Sequence, residues 1–134
     1  MIEAMSHITL IVRDIERAAQ MLCAVFDARE VYDSKGRNFS LAREKFFIIG
    51  HTWIALMDGE SVLERSYNHV AFKVADEELD AYAARVRALG LEVLPGRARV
   101  PGEGRSLYFY DYDNHLFELH TGTLEERLRH YRAS

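Results

Sequence analysis

The chain has 134 residues, 49% of them hydrophobic and 28% charged, the composition of an ordinary globular domain with enough apolar surface for a core. A formal net charge of −4 excludes the basic footprint of a nucleic-acid binder. No apolar run is long enough to span a membrane, no signal peptide is recognisable, and the single Cys23 permits no intrachain disulfide, so a cytoplasmic protein with no membrane partner is expected.

In chain order, alternating apolar residues predict a first strand over 8–12. Asp14 then stands where an N-cap should, before an amphipathic helix. Strands are predicted near 30–33, 39–42, 46–49 and 53–57, with residues 58–66 as a connection. The pattern then begins again: a strand over 70–74, Asp76 as a second N-cap, and a helix closed by Gly90. Strands near 91–94, 106–110 and 116–120 follow, and a short amphipathic helix over 124–132 ends the chain. Between two of these strands lies a long loop, residues 95–105, "PGRARVPGEGR", a kind of segment that often carries function.

The second half repeats the first. Residues 6–31 align without a gap on residues 68–93 at an offset of 62, which sets His7 on His69 and Asp14 on Asp76. The same offset sets Leu56 on Glu118. The expected architecture is α+β: a single domain, 1–134, of two paired βαβββ modules (about 5–60 and 66–122) plus the C-terminal helix.

A duplicated unit packs about a pseudo-two-fold axis, and equivalent positions then face one another. His7, His69, Glu118 and Leu56 would be four such positions, three with metal-binding groups and one blank. Glu118 lies inside an apolar strand, where a carboxylate is costly unless paired. A divalent ion held by His7, His69 and Glu118 would supply the partner, and Mn, Fe, Co, Ni or Zn would each suit such a site. Leu56 would leave coordination positions open, as in a catalytic centre. His120 shares a strand face with Glu118 and could support it or serve only structure.

With "SHITLIVRD", "FSLAREKFFIIG", "ERSYNHVAFK" and "GEGRSLYFYDYDNHLFELHTGTLEERL" in view, the chain resembles the vicinal oxygen chelate superfamily, the glyoxalase/bleomycin-resistance fold. Within it the chain looks most like the fosfomycin-resistance proteins of the FosX type, which are epoxide hydrolases. The resemblance implies metal ligands His7, His69 and Glu118, with Mn2+ as the usual cofactor, and a small epoxide phosphonate, fosfomycin, as substrate. It implies Glu44 as the general base. It also implies substrate contacts from Thr9, Trp53, Tyr67, Ser106, Tyr108 and Arg127, and a homodimer. A thiol transferase, an extradiol-type dioxygenase and a metal-free drug-binding protein are the alternatives on the same fold. Without the resemblance, Glu44 between Arg43 and Lys45 reads as a solvated charge, and Trp53 and Tyr108 read as core aromatics.

Overall fold

In the structure, a computed structural model that describes residues 1–37, 39–97 and 99–133, the run HITLIV forms β1 (His7–Val12). Asp14 caps the helix α1 (Ile15–Phe26), its carboxylate accepting from the Arg17 N–H at 3.1 Å. The strands β2 (Arg29–Asp33), β3 (Glu44–Ile49) and β4 (Thr52–Asp58) follow. The sheet order is β1-β4-β3-β2, with β1 parallel to β4 and the other pairs antiparallel. These elements belong to one compact unit, Met1–Glu64 with Tyr112–Asn114.

Parity divides the sheet of this unit. Leu10, Val12, Phe47, Ile54 and Leu56 are buried on the face that α1 covers with Ala18, Leu22, Val25 and Phe26. Each large side chain so buried is worth about 1.5–3 kcal/mol. The other face carries His7, Thr9, Glu44, Phe46, Trp53, Ala55 and Met57. Lys45 points to the α1 face and is 5% exposed. Its ammonium pairs with Glu30 at 2.8 Å and Glu16 at 3.3 Å. Arg43 pairs with Glu16 at 2.7 Å and Asp33 at 2.9 Å. Chiefly through the hydrogen bond from Arg43, Asp33 is held down at about 2.

The second unit, Arg65–Asp111 with His115–Ser134, repeats the plan. It contains β5 (His69–Lys73), a 3-10 turn at Asp76–Glu78, α2 (Leu79–Ala88), β6 (Leu94–Pro95), β7 (Ser106–Tyr110), β8 (Leu116–His120) and α3 (Leu124–Ala133). The sheet order is β5-β8-β7-β6, again with its first pair parallel. Leu107, Phe109, Phe117 and Leu119 are buried on one face, with Phe109 stacked on Phe117 at 5.5 Å. Two four-stranded mixed sheets with their helices make the expected α+β pair of modules.

Four expectations change. Residues 39–42 form no strand: Phe39 and Leu41 are 77% and 94% exposed, and alternation without a neighbouring strand leaves the backbone unpaired. Residues 91–94 pair only from Leu94 onward, against Tyr108. Asp76 does not cap α2; it opens the 3-10 turn, and its carboxylate accepts from Arg105 Nε at 2.8 Å.

The fourth concerns the repeat. Leu10 pairs with Leu56, on the α1 face, whereas Glu118 pairs with Ala71 and Tyr108 on the opposite kind of face. The counterpart of Glu118 is therefore Ala55, which pairs with Thr9 and Phe46. The β3–β4 hairpin turns through Gly50 and His51, with Gly50 at φ +60. The β7–β8 turn needs Tyr112, Asp113 and Asn114, with Asn114 at φ 66. One extra turn residue shifts the last strand by one, and a one-residue shift exchanges the faces. Ala55 offers no donor atom, so that position stays blank.

The depressed carboxyl of Asp33 gives an acid test. Its folded value of about 2 lies below the unfolded value of about 3.9, so its stabilisation is present above pH about 4 and drains away as pH falls towards 2. Asp33→Asn should cost on the order of 1–2 kcal/mol at neutral pH and flatten this acid limb, read by urea unfolding at several pH values.

Candidate active site

In the first unit, the sequence-predicted residues share one sheet face because they share parity. His7 and Trp53 are register partners, and their rings stack with centroids 4.1 Å apart. Ser6 Oγ lies 2.9 Å from His7 Nδ1, which leaves Nε2 as the outer nitrogen. Thr9 follows on β1, and Glu44 opens β3 opposite Met57. Arg43 and Lys45 do not neutralise Glu44 on this face, because their charges are tied to Glu16, Glu30 and Asp33. Trp53 Nε1 is buried and has no hydrogen-bond partner among the described residues.

The second unit gathers the remaining candidates. Glu118 is 4% exposed, between Phe117 and Leu119. Ser106 Oγ donates to its Oε2 at 2.5 Å, and Arg99 Nη2 stands 3.3 Å from the same oxygen. His69 Nε2 lies 2.9 Å from the other oxygen, Oε1. Burial pushes the Glu118 carboxyl up, but the hydrogen bonds from the Ser106 and Tyr108 hydroxyls, helped by the neighbouring imidazoles, outweigh it, so it lies below the usual carboxylate range. The same burial, with the Tyr67 hydroxyl 2.9 Å away and Glu118 beside it, pushes the Tyr108 phenol well above its ordinary value.

The His69 ring explains what such a carboxylate asks for. Its Nδ1 lies 2.6 Å from the Tyr67 carbonyl oxygen, which can only accept, so Nδ1 carries a hydrogen. In the neutral ring Nε2 then presents a lone pair to a carboxylate oxygen. Two acceptors at 2.9 Å repel unless a cation, a proton or a metal ion, stands between them. This donor pair fits a divalent ion. Among the described residues no group of three or more His, Cys, Asp or Glu side chains is assembled to hold a metal; His69 and Glu118 meet in the second unit, and His7 belongs to the first.

His120 and Arg127 complete the cluster. Ser106 Oγ lies 2.7 Å from His120 Nδ1, and Arg127 Nη2, from α3, lies 3.3 Å from His120 Nε2. Burial is the main influence holding the His120 ring below its ordinary value, with Arg99 and Arg127 acting in the same sense and Glu118 against them. A groove of about 410 Å³ adjoins these residues, lined by Tyr67, Tyr108, Tyr110, Leu94, Pro95 and Leu116 among others.

Sequence reasoning missed Glu103 and gives Arg99, one of the loop arginines, no assigned role. Glu103 is 1% exposed, in the loop that precedes β7. The signal was a charged residue between two glycines, GEG. A Cβ on Gly104, at φ +91, would come within 2.7 Å of the Gly122 backbone nitrogen. Only a residue without a side chain lets the loop pass there, and that passage carries Glu103 inward.

The chain matches the model of the Glyoxalase/Bleomycin resistance protein/Dioxygenase superfamily over residues 4–119. It belongs to that family. It is 64% identical to the fosfomycin resistance protein FosX of Mesorhizobium japonicum over 128 residues, 96% of this chain and 92% of that protein. Against the fosfomycin resistance protein FosX of Listeria innocua the identity is 58%, covering 98% of both chains. The fold superposes with a TM-score of 0.90, at 53% identity and over 98% of this chain and 99% of the other, on a crystal structure from Listeria monocytogenes. That structure is a point mutant of FosX complexed with Mn(II) and 1S,2S-dihydroxypropylphosphonic acid.

An alkaline titration checks the electrostatics. In the metal-free protein, tyrosinate absorbance should show a late-titrating phenol that disappears in Tyr108→Phe. A Tyr108→Phe curve identical to that of the parent would contradict the burial and hydrogen bonding described above.

Proposed function

We propose that the protein opens the epoxide of fosfomycin with water to give the diol, a metal-dependent hydrolysis that confers resistance to the antibiotic. The observation that carries this reading is the convergence of His69 Nε2 and Glu118 Oε1 at 2.9 Å, two acceptors that call for a cation, beside the Ser106 and Tyr108 hydroxyls. The relatives named for fosfomycin resistance, and the solved relative holding Mn(II) and a dihydroxypropylphosphonic acid, support the same chemistry.

His7, His69 and Glu118 would hold the ion, with Mn(II) favoured by the solved relative. When bound, such an ion supplies Lewis acidity toward an oxygen that becomes an alkoxide. Glu44 acts as general base: a carboxylate oxygen takes one proton from water as the water oxygen bonds to an epoxide carbon and that carbon's bond to the ring oxygen breaks. Return of a proton to the ring oxygen completes the diol. Arg127 offers a planar fork for the phosphonate, and the Ser106 and Tyr108 hydroxyls add hydrogen bonds. Thr9, Trp53 and Tyr67 line the substrate site, and the buried, unpartnered Trp53 Nε1 is a donor available there.

The protein acts as a homodimer in the cytoplasm. Exposed Phe39, Leu41 and Leu63 supply apolar surface for a second copy, and Cys23 as the one cysteine suits a reducing compartment. Among the described residues no helix is long and apolar enough to cross a membrane.

Phosphorus NMR of fosfomycin with the Mn(II)-loaded protein should show the diol without added thiol. Glu44→Gln should lower this hydration by about 10²–10⁴-fold, while thiol addition, if present, need not fall. A product that forms only with thiol would replace the hydrolase reading with a thiol transferase. Sedimentation velocity should give a dimer, and a monomer at micromolar concentration would remove that assignment.

A further inference from the structure

Glu103 is the most deeply buried carboxylate described in the chain, 1% exposed, and none of the roles above uses it. Its neighbours form a ring of donors. Arg97 and the Tyr131 hydroxyl make short bonds to its Oε1. Arg99 Nη1 donates to the same oxygen at 3.1 Å, and the Val100 N–H donates to Oε2 at 3.1 Å. Arg127 Nε stands 3.8 Å from Oε1. With three guanidinium groups around one carboxylate, the cluster keeps an excess of positive charge.

Arg99 joins this hub to the sheet. Its side chain is 9% exposed. While Nη1 is held by Glu103, Nη2 reaches Ser106 Oγ at 3.0 Å, Tyr108 Oη at 3.4 Å and Glu118 Oε2 at 3.3 Å. Its Nε is buried and finds no acceptor among the described residues. A buried guanidinium with an unfilled donor is costly unless an anion completes it. The fork of Arg99 therefore has one edge held by Glu103 and further donors turned to the face that carries Ser106 and Tyr108.

We propose that Glu103 is a positioning residue: its buried carboxylate orients Arg99, and Arg99 binds the tetrahedral anionic end of the substrate, a phosphonate or sulfate-like group. The assignment rests on the phosphonate reading above. Glu103 touches no reacting atom. It acts through Arg99 alone, by holding one edge of the guanidinium and removing its rotameric freedom before the anion arrives. Tyr131 ties α3 to the same carboxylate, so the last helix helps order the loop.

The test compares Glu103→Gln, Arg99→Ala and the double variant in the Mn(II)-loaded protein. Inorganic sulfate affinity is read by calorimetry and fosfomycin hydration by steady-state kinetics. Each single change should weaken sulfate binding by about 10- to 100-fold and raise KM more than it lowers kcat. The double variant should be no worse than Arg99→Ala, because Glu103 acts through Arg99. Unchanged sulfate affinity in either single variant, or losses that add in the double variant, would overturn the proposal. If Glu103→Gln fails to fold, Arg99→Lys against Arg99→Ala decides: a lysine that restores full affinity needs no orientation and refutes the role, and one that restores little supports it. A parent protein that binds sulfate yet leaves fosfomycin intact would refute the proposed function and leave this comparison readable.

Discussion

Glu118 lies on β8 between two fully buried apolar residues, and its charge is tolerable there because Ser106 and Arg99 donate to Oε2 and the His69 ring, with the cation that their 2.9 Å approach calls for, faces Oε1. Ser106 and Tyr108 can reach it because β7 is its antiparallel neighbour and their parity matches. His69 can reach it because β5 is its parallel neighbour on the other side. The strand order β5-β8-β7-β6 thus sets the partners of Glu118: the strand bearing the carboxylate sits between the strand bearing the imidazole and the strand bearing the hydroxyls.

The first unit uses the same arrangement for a different chemistry. β4 lies between β1 and β3, and its face residues Trp53, Ala55 and Met57 replace a buried carboxylate with apolar groups. Glu44 opens β3 as Ser106 opens β7. One plan thus sets a carboxylate at that strand position in one unit and a hydroxyl in the other. The charges on either side of Glu44 are paired with α1 and β2, while Glu44 itself lies on the other face. The ion network around Lys45 therefore serves two ends: it satisfies a buried ammonium, and it turns two cations away from the face that carries Glu44.

Burial and polarity meet a second time at Glu103. The described residues between β6 and β7 have little regular structure, yet they gather around one carboxylate that satisfies donors from Arg97, Arg99, Val100 and Tyr131. Two positive-φ glycines bracket it, and their lack of side chains admits the close passage beside Gly122 and the His130 ring. A loop rich in arginine would otherwise repel itself. Here one buried acid makes it part of the polar cluster that includes Glu118.

Alternation, helix periodicity and the repeated His-to-Asp spacing were enough to read the two βαβββ units, the cap at Asp14 and the residues that share a strand face with His7 and with Glu118 from the sequence, because these depend on neighbours close in the chain. The resemblance carried by "EGRSLYFYD" and "FELHTGTLEERL" added the chemistry. The last-strand register was not legible: one residue more in the Tyr112–Asn114 turn than in the Gly50–His51 turn moves the counterpart of Glu118 from Leu56 to Ala55, and a gapless comparison of sequences cannot sense turn geometry. Phe39–Leu41 looked like a strand because pattern alone does not say whether a neighbour will pair with it. The partners of Glu118, Lys45 and Glu103 were likewise decided only by tertiary structure. A charge selects its partners by distance and burial in space, and residues as far apart in sequence as Glu103 and Tyr131 become neighbours only once the chain has folded.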